Sequence, residues 1–412
     1  MKREAANLMR KTRKTMTALL PRRLKPMLRI TFKLTLALLI SAFVFALGAP
    51  ELHATTLTYI VGTCKAGTQF STIQSALNKS PAADVIEVCP GTYPEQLTII
   101  NAVTLEGIVS GNTSAIQITS PAAGLMTNAT INGSDPAAVH VFVKNATAAV
   151  NLTNLIVDST NNKVPFGVFL VGVLYQHSTG TVNHVIARHQ QANNVGFGIY
   201  MEGGTSNPTV TVENCSVHDF DFGGIYVTGP LGPTDIVGDP GATGDIPTGQ
   251  ITAKVVNNFV ESGVDSAHNM LFGSSTLVTA MGNLSIGGLS DAGAFGITVD
   301  ANAGSVISAN TIIGTQTGIS LQDDGPFLKS NKMYLLTGDG IFLNVNLKTS
   351  QITGNTIQDT GFDGIDLNCK TVGTLVNSNT FEYLASGYIS APSGFSGSGT
   401  YVAVPIDVST CP

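Results

Sequence analysis

Tryptophan is absent from this sequence, and beyond residue 54 a single arginine remains, Arg188. The first absence, with only 7% aromatic residues, leaves few platforms on which a sugar ring could stack. The second bears on polyanions. The chain has 21 Lys+Arg and 27 Asp+Glu, but residues 1–54 hold 11 of the bases and 2 of the acids, so the remainder carries 10 bases against 25 acids, near −15. A field of that sign repels nucleic acids and anionic membranes, and it repels polyuronates unless a divalent cation bridges them. Nucleic-acid binding is excluded. Zinc spacing is missing too: Cys64, Cys89, Cys215, Cys369 and Cys411 form no CxxC and keep no His/Cys pattern.

Long hydrophobic runs are also scarce. The apolar stretch Leu34 to Leu47 follows a basic segment, and its 14 residues are too few to span a bilayer comfortably. It reads as a secretory signal, with cleavage after Gly48-Ala49 or Leu52-His53-Ala54, so residues 1–54 stand outside the fold. A start at Met27 would give an ordinary signal peptide. The expectation is a secreted, cell-surface or periplasmic protein with no membrane partner after cleavage.

What the chain does have is repetition. A Gly–apolar–x–apolar tetrad occurs seven times, opening at Gly167, Gly198, Gly224, Gly296, Gly318, Gly340 and Gly364, the last four spaced by 22, 22 and 24 residues. A period in the low twenties marks a solenoid whose rungs bury apolar faces only against their neighbours. Two apolar residues per tetrad at alternate positions give strand periodicity, with the variable third position facing out. A second series, Asn154, Asn214, Asn258, Asn283, Asn310, Asn331, Asn355 and Asn379, with His184 filling one slot, suggests an internal amide ladder at a turn. Two residues on, Ile156, Ile186, Val260, Ile312, Met333, Ile357 and Phe381 point a second strand inward, with Ser216 and Ser285 as exceptions.

On these motifs the chain, from about residue 58 onward, resembles the right-handed parallel β-helix proteins of the pectin-lyase-like superfamily. Phe70-Ser-Thr-Ile-Gln-Ser-Ala-Leu is similar to their short N-terminal capping helix, and the segment from Asp84 through Pro94-Glu95 to their first rungs. The expected fold is all-β, one domain over residues 55–412 of roughly ten rungs. It is interrupted by a long loop at 229–250 and closed by a capping tail at 386–412. Residues 111–150 read as irregular rungs with loops. In an exported chain, disulfides Cys64–Cys89 and Cys369–Cys411 would staple the two open ends, leaving Cys215 a buried thiol. The resemblance implies contact with a polysaccharide or cell-surface glycan, by a monomer.

Aligning the tetrads puts Asp339 and Asp363 before the glycines, Phe342 and Asp366 at the outward position, and Asp300, Asn344 and Asn368 just past the strand. Carboxylates on adjacent rungs, about 5 Å apart, cannot both ionise cheaply, which suits acid catalysis of glycosidic cleavage. Asp339, Asp363 and Asp366 are the catalytic candidates, Phe342, Asn344 and Asn368 the sugar contacts, and Asp300, Asp323 and Asp324 possible calcium ligands. Phe362-Asp363-Gly364-Ile365-Asp366 is similar to the first aspartate motif of polygalacturonases and Gln322-Asp323-Asp324-Gly325 to their second, but the order is reversed and no His-Gly or Arg-x-Lys element follows. A second candidate pair is Arg188 and His189, near His184, Glu202, Glu213, His218, Asp219 and Asp221. Two functions stay open: a polysaccharide lyase or glycoside hydrolase, and a non-catalytic, adhesin-like glycan-binding scaffold.

Overall fold

A computed structural model describes residues 56–405, apart from 82–83, 110–115, 193–194, 205, 230–248, 263–267, 288–292, 324, 344–348, 368–374, 385–388 and 392–402. The described residues form one compact unit. Its strands make three sheets, here A, B and C, of 13, 11 and 13 strands. The chain visits A, B and C in turn and then steps one strand along each, all neighbours on this path being parallel. This is a right-handed parallel β-helix. Counting from the sheet A strand Asp84–Val88, sheet B supplies one strand to each of eleven coils.

Apolar columns fill the interior. Ile297, Ile319, Ile341 and Ile365 are Cα partners on successive coils, and all four are fully buried. The glycine that opens each tetrad is there because sheet C comes close to sheet B at that point. A Cβ on Gly340 would collide with the Gly364 carbonyl and with Ile357. The first tetrad departs from expectation: Gly167 lies in a turn at φ 80 with no atom near its Cβ direction, and the glycine in register is Gly172. In coil 6 the slot holds Asn269, whose amide donates to Ser285 Oγ at 2.9 Å and to the Ile286 carbonyl. Ser285 is thus polar because its neighbour needs an acceptor.

The asparagine series resolves into two adjacent columns. Asn258, Asn283, Asn310, Asn331, Asn355 and Asn379 form the ladder. From Asn283 on, each Oδ1 accepts from the backbone N–H and from the Nδ2 of the preceding asparagine; between Asn310 and Asn331 these bonds are 3.1 and 3.0 Å. Each Nδ2 also donates to a carbonyl at the end of sheet A, such as Ile307 for Asn331. Asn154, His184 and Asn214 stand one residue earlier, at φ 57, 52 and 55. These three are not ladder residues, contrary to the sequence expectation: His184 is exposed, and Leu155, Val185 and Cys215 take the internal slot. Asparagine tolerates left-handed backbone and also makes ladders, so the two columns look alike in sequence. With the register set by Val217, Ser216 ceases to be an exception.

The N-terminal end is capped by the helix Ile73–Lys79, which buries Ile73, Ala76 and Leu77. Its first N–H groups need acceptors. Thr72 Oγ1 accepts from Ser75 N, and the Glu95 carboxylate accepts from Ile73 N and Gln74 N at 2.8 and 2.9 Å. Cys64 and Cys89 are disulfide-bonded with Cα atoms 5.6 Å apart, and Cys215 is a free buried thiol. In the irregular region Ala129–Ile131 pairs antiparallel in a hairpin with Asp135–Lys144, itself a strand of sheet C, and packs with the outward apolar side chains of that sheet. The residues 1–54, most of the 229–250 loop, the Cys369–Cys411 pair and most of the 386–412 tail lie outside the described residues.

Asn331→Ala is expected to cost about 2–4 kcal/mol in urea unfolding, because it strips buried donors on Asn310 of their acceptor. Asn214→Gly, at a left-handed position, should change stability by less than about 0.5 kcal/mol. Equal costs for the two would contradict the separation of the columns.

Candidate functional site

Three columns of side chains face outward from sheet C. The first runs Phe197, Gly223, His268, Phe295, Thr317, Asp339 and Asp363 over coils 4 to 10. The middle column runs Leu174, Tyr200, Tyr226, Leu271, Thr298, Ser320, Phe342 and Asp366 over coils 3 to 10. The third holds Gln176, Glu202 and Thr228, then continues past the strand ends to Asp300 and Gln322. The face therefore changes along the axis, from aromatic in coils 3–6 to acidic in coils 7–10.

At the acidic end the structure brings Asp339, Asp363 and Asp366 together. Asp339 Oδ1 accepts from the Asp363 backbone N–H at 3.0 Å. Burial, then the nearby charges of Asp339 and Asp363, push the Asp366 carboxyl up to about 6. Asp339 is also raised, by burial first and by the Asp363 charge, against the lowering effect of that backbone bond. Phe342 is half-buried directly beside Asp366 on the neighbouring strand. Asp300 is pushed up to about 6 by burial and by the charge of Asp323. Asp324, Asn344 and Asn368 lie outside the described residues, and among the described residues no group of three His, Cys, Asp or Glu side chains is arranged to hold a metal ion.

Toward the aromatic end lies a group that the sequence reading did not join to this face. Tyr200 and Tyr226 stack at 4.7 Å between ring centroids. The Tyr200 hydroxyl donates to Asn132 Oδ1 on the hairpin at 2.6 Å, whereas the buried Tyr226 hydroxyl has no hydrogen-bond partner among the described residues. Burial raises both phenols, and the charges of Asp300 and Glu202 add to the effect on Tyr226. Glu202 is buried and pushed up to about 7 by desolvation, against one bond from Gln176 Nε2. His268, stacked on Phe295 at 4.9 Å, is pushed down to about 4 by burial and lies 3.0 Å from Thr298 Oγ1.

Arg188 and His189 belong elsewhere, on the outer face of sheet B. Their hub is Asp158, which sequence reasoning missed. Asp158, Arg188 and His218 are Cα partners on coils 3, 4 and 5. Arg188 Nε donates to Asp158 Oδ2 at 2.8 Å, and His189 Nδ1 lies 2.9 Å from Oδ1. Thr160 donates to Oδ1 from its backbone N–H and its hydroxyl. Burial alone would raise Asp158, but the bonds from Thr160, His189 and Arg188 outweigh it and hold the carboxyl well below its usual range. His218 Nδ1 sits 2.8 Å from Asp219 Oδ2, and His189 Nε2 3.6 Å from the same oxygen. Asp221 lies near this cluster in sequence, while Glu202 is on sheet C.

No protein-family model matches the chain, and no curated protein is similar to it in sequence. Among solved structures it is similar to PfbA, a surface adhesin of Streptococcus pneumoniae, at 11% identity and a TM-score of 0.40 over 77% of this chain and 89% of that one. It is also similar to the periplasmic alginate epimerase AlgG (14%, 0.41, 79% and 81%) and to an alginate lyase of a Paenibacillus species (14%, 0.37, 81% and 99%). At these values the likeness is one of solenoid architecture and carries nothing about chemistry.

Glu202 makes stability depend on pH. Its folded value of about 7 lies above its ordinary 4.5, so between these the folded state binds more protons, and stability falls as pH rises through that window. The contribution is at most about 3 kcal/mol. Thermal unfolding should therefore show higher stability near pH 5 than near pH 7.5, and Glu202→Gln should flatten the difference. An unchanged slope in that variant would place the carboxyl in water.

Proposed function

We propose that the chain is an exported glycan-associated β-helix whose polymer-facing surface is the outer face of sheet C. One observation supports this most directly. Among the described residues, the four carboxyl groups held above their ordinary range, Glu202, Asp300, Asp339 and Asp366, all lie on the outward columns of this one sheet, on coils 4, 7, 9 and 10. A lengthwise strip of carboxyl groups suits a linear polymer better than a small ligand. Export rests on the apolar segment Leu34 to Leu47 and the Cys64–Cys89 disulfide; no helix among the described residues is long and apolar enough to cross a membrane.

The chemistry this arrangement supports is acid–base cleavage of a glycosidic bond. Asp366, protonated below about pH 6, would donate to the leaving oxygen, with Asp363 or Asp339 as the partner carboxylate and Phe342 as the apolar contact. Asp300, Asp323 and Asp324 would be the ligands if calcium takes part. The Asp158–His189 contact supports a second reading, in which the base lies on sheet B with Arg188 and His189. An adhesin-like scaffold is the non-catalytic alternative.

A reducing-end assay over a polysaccharide panel, with and without calcium, tests this. Asp366→Asn is expected to lower turnover by about 10²–10⁴-fold with little loss of thermal stability. The wild-type rate should decline as pH rises through about 6. Full activity in Asp366→Asn, with loss in His189→Ala, would move the chemistry to sheet B. Binding without turnover would leave the scaffold.

A further inference from the structure

Resting on the reading of sheet C as the glycan-facing surface, we propose that this face takes a neutral, hydroxyl-rich glycan segment, with the Tyr226 hydroxyl as a contact between the Glu202 and Asp300 carboxyl groups. Three observations converge on it. The Tyr226 hydroxyl is buried and has no hydrogen-bond partner among the described residues, whereas its stacked neighbour Tyr200 satisfies its own hydroxyl on Asn132. A buried polar atom left unpaired costs free energy, and a ligand oxygen is one way for that cost to be recovered. On the flank stands Asp300, partly exposed and close enough for its charge to act on the Tyr226 phenol.

The charge on the face selects the ligand. From coil 4 to coil 10 the three outward columns contain Glu202, Asp300, Asp339, Asp363 and Asp366, with Asp323 adjoining, and no lysine or arginine among the described residues. Carboxylates of a polyuronate would meet like charge on coils 4, 7, 9 and 10, with no lysine or arginine among the described residues of these columns to offset it. Sugar hydroxyls meet no such barrier. They accept from a phenol and donate to a carboxylate, so hydroxyls of successive neutral sugar residues can meet Glu202, Tyr226 and Asp300, which stand on coils 4, 5 and 7.

The test is binding of the secreted chain to arrays of gluco-, xylo-, manno- and galacto-hexaoses and of hexauronates, in EDTA and in calcium. At least one neutral hexaose is expected to bind with little dependence on salt. Tyr226→Phe, which removes only an unpaired oxygen and should fold normally, is expected to weaken it about tenfold. Preference for a hexauronate, in EDTA or through bridging calcium, overturns the proposal. So does neutral binding that Tyr226→Phe leaves unchanged. If neutral binding persists unaltered in both Asp366→Asn and Phe342→Ala, the sheet C strip itself is wrong. No binding to any array member overturns both readings.

Discussion

The asparagine ladder is the constraint on which the later coils depend. A parallel β-helix must turn its chain sharply between sheets A and B once per coil, and each turn buries backbone donors that no strand can satisfy. Asn258 to Asn379 solve this by giving each buried N–H an amide oxygen from the next coil. Because both side-chain groups are committed, the turn has one geometry, and coils 6 to 11 superimpose at that corner. Sheet B then starts at the same residue each time, and sheet C receives its glycine opposite the same inward side chain. The outward columns line up only because of this.

The earlier coils reach the same geometry by other means. Leu155, Val185 and Cys215 pack in the slot as apolar residues, and the Cys215 backbone N–H donates to Asn258 Oδ1, where the ladder begins. A second apolar cluster on the outer face of sheet C, including Phe142 on the hairpin's long strand and Phe197, Tyr200 and Tyr226 on the coils that follow, adds burial that the later coils lack. The aromatic-to-acidic gradient of the face is thus also a change in how the coils are held together, from packing toward hydrogen bonding.

The solenoid, the inward isoleucine column and the outward acidic strip were legible in sequence, because strand alternation and a 22–24-residue period leave few other arrangements for Ile319, Ile341 and Ile365. The register of the early coils was not. Asn154 and Asn214 mimic ladder residues, and Gly167 mimics a strand glycine, since a left-handed turn and a close approach select the same residue types. Asp158 could have been found: Asn154, His184 and Asn214 are spaced by 30, and the same step carries Asp158 to Arg188 and His218. Tyr226 and Glu202 stood in the tetrad alignment as well, but burial and a missing hydrogen-bond partner have no sequence signature.

Coils 8 to 10 share one template, the ladder asparagine, the strand glycine and the inward Ile and Leu of sheet C, while the outward residues of that sheet differ from coil to coil. A stretch built this way can gain or lose a whole coil by duplication or deletion without disturbing its neighbours. Its outward surface is therefore a ruler. Evolution can lengthen it by about 4.8 Å at a time and rewrite each added mark independently.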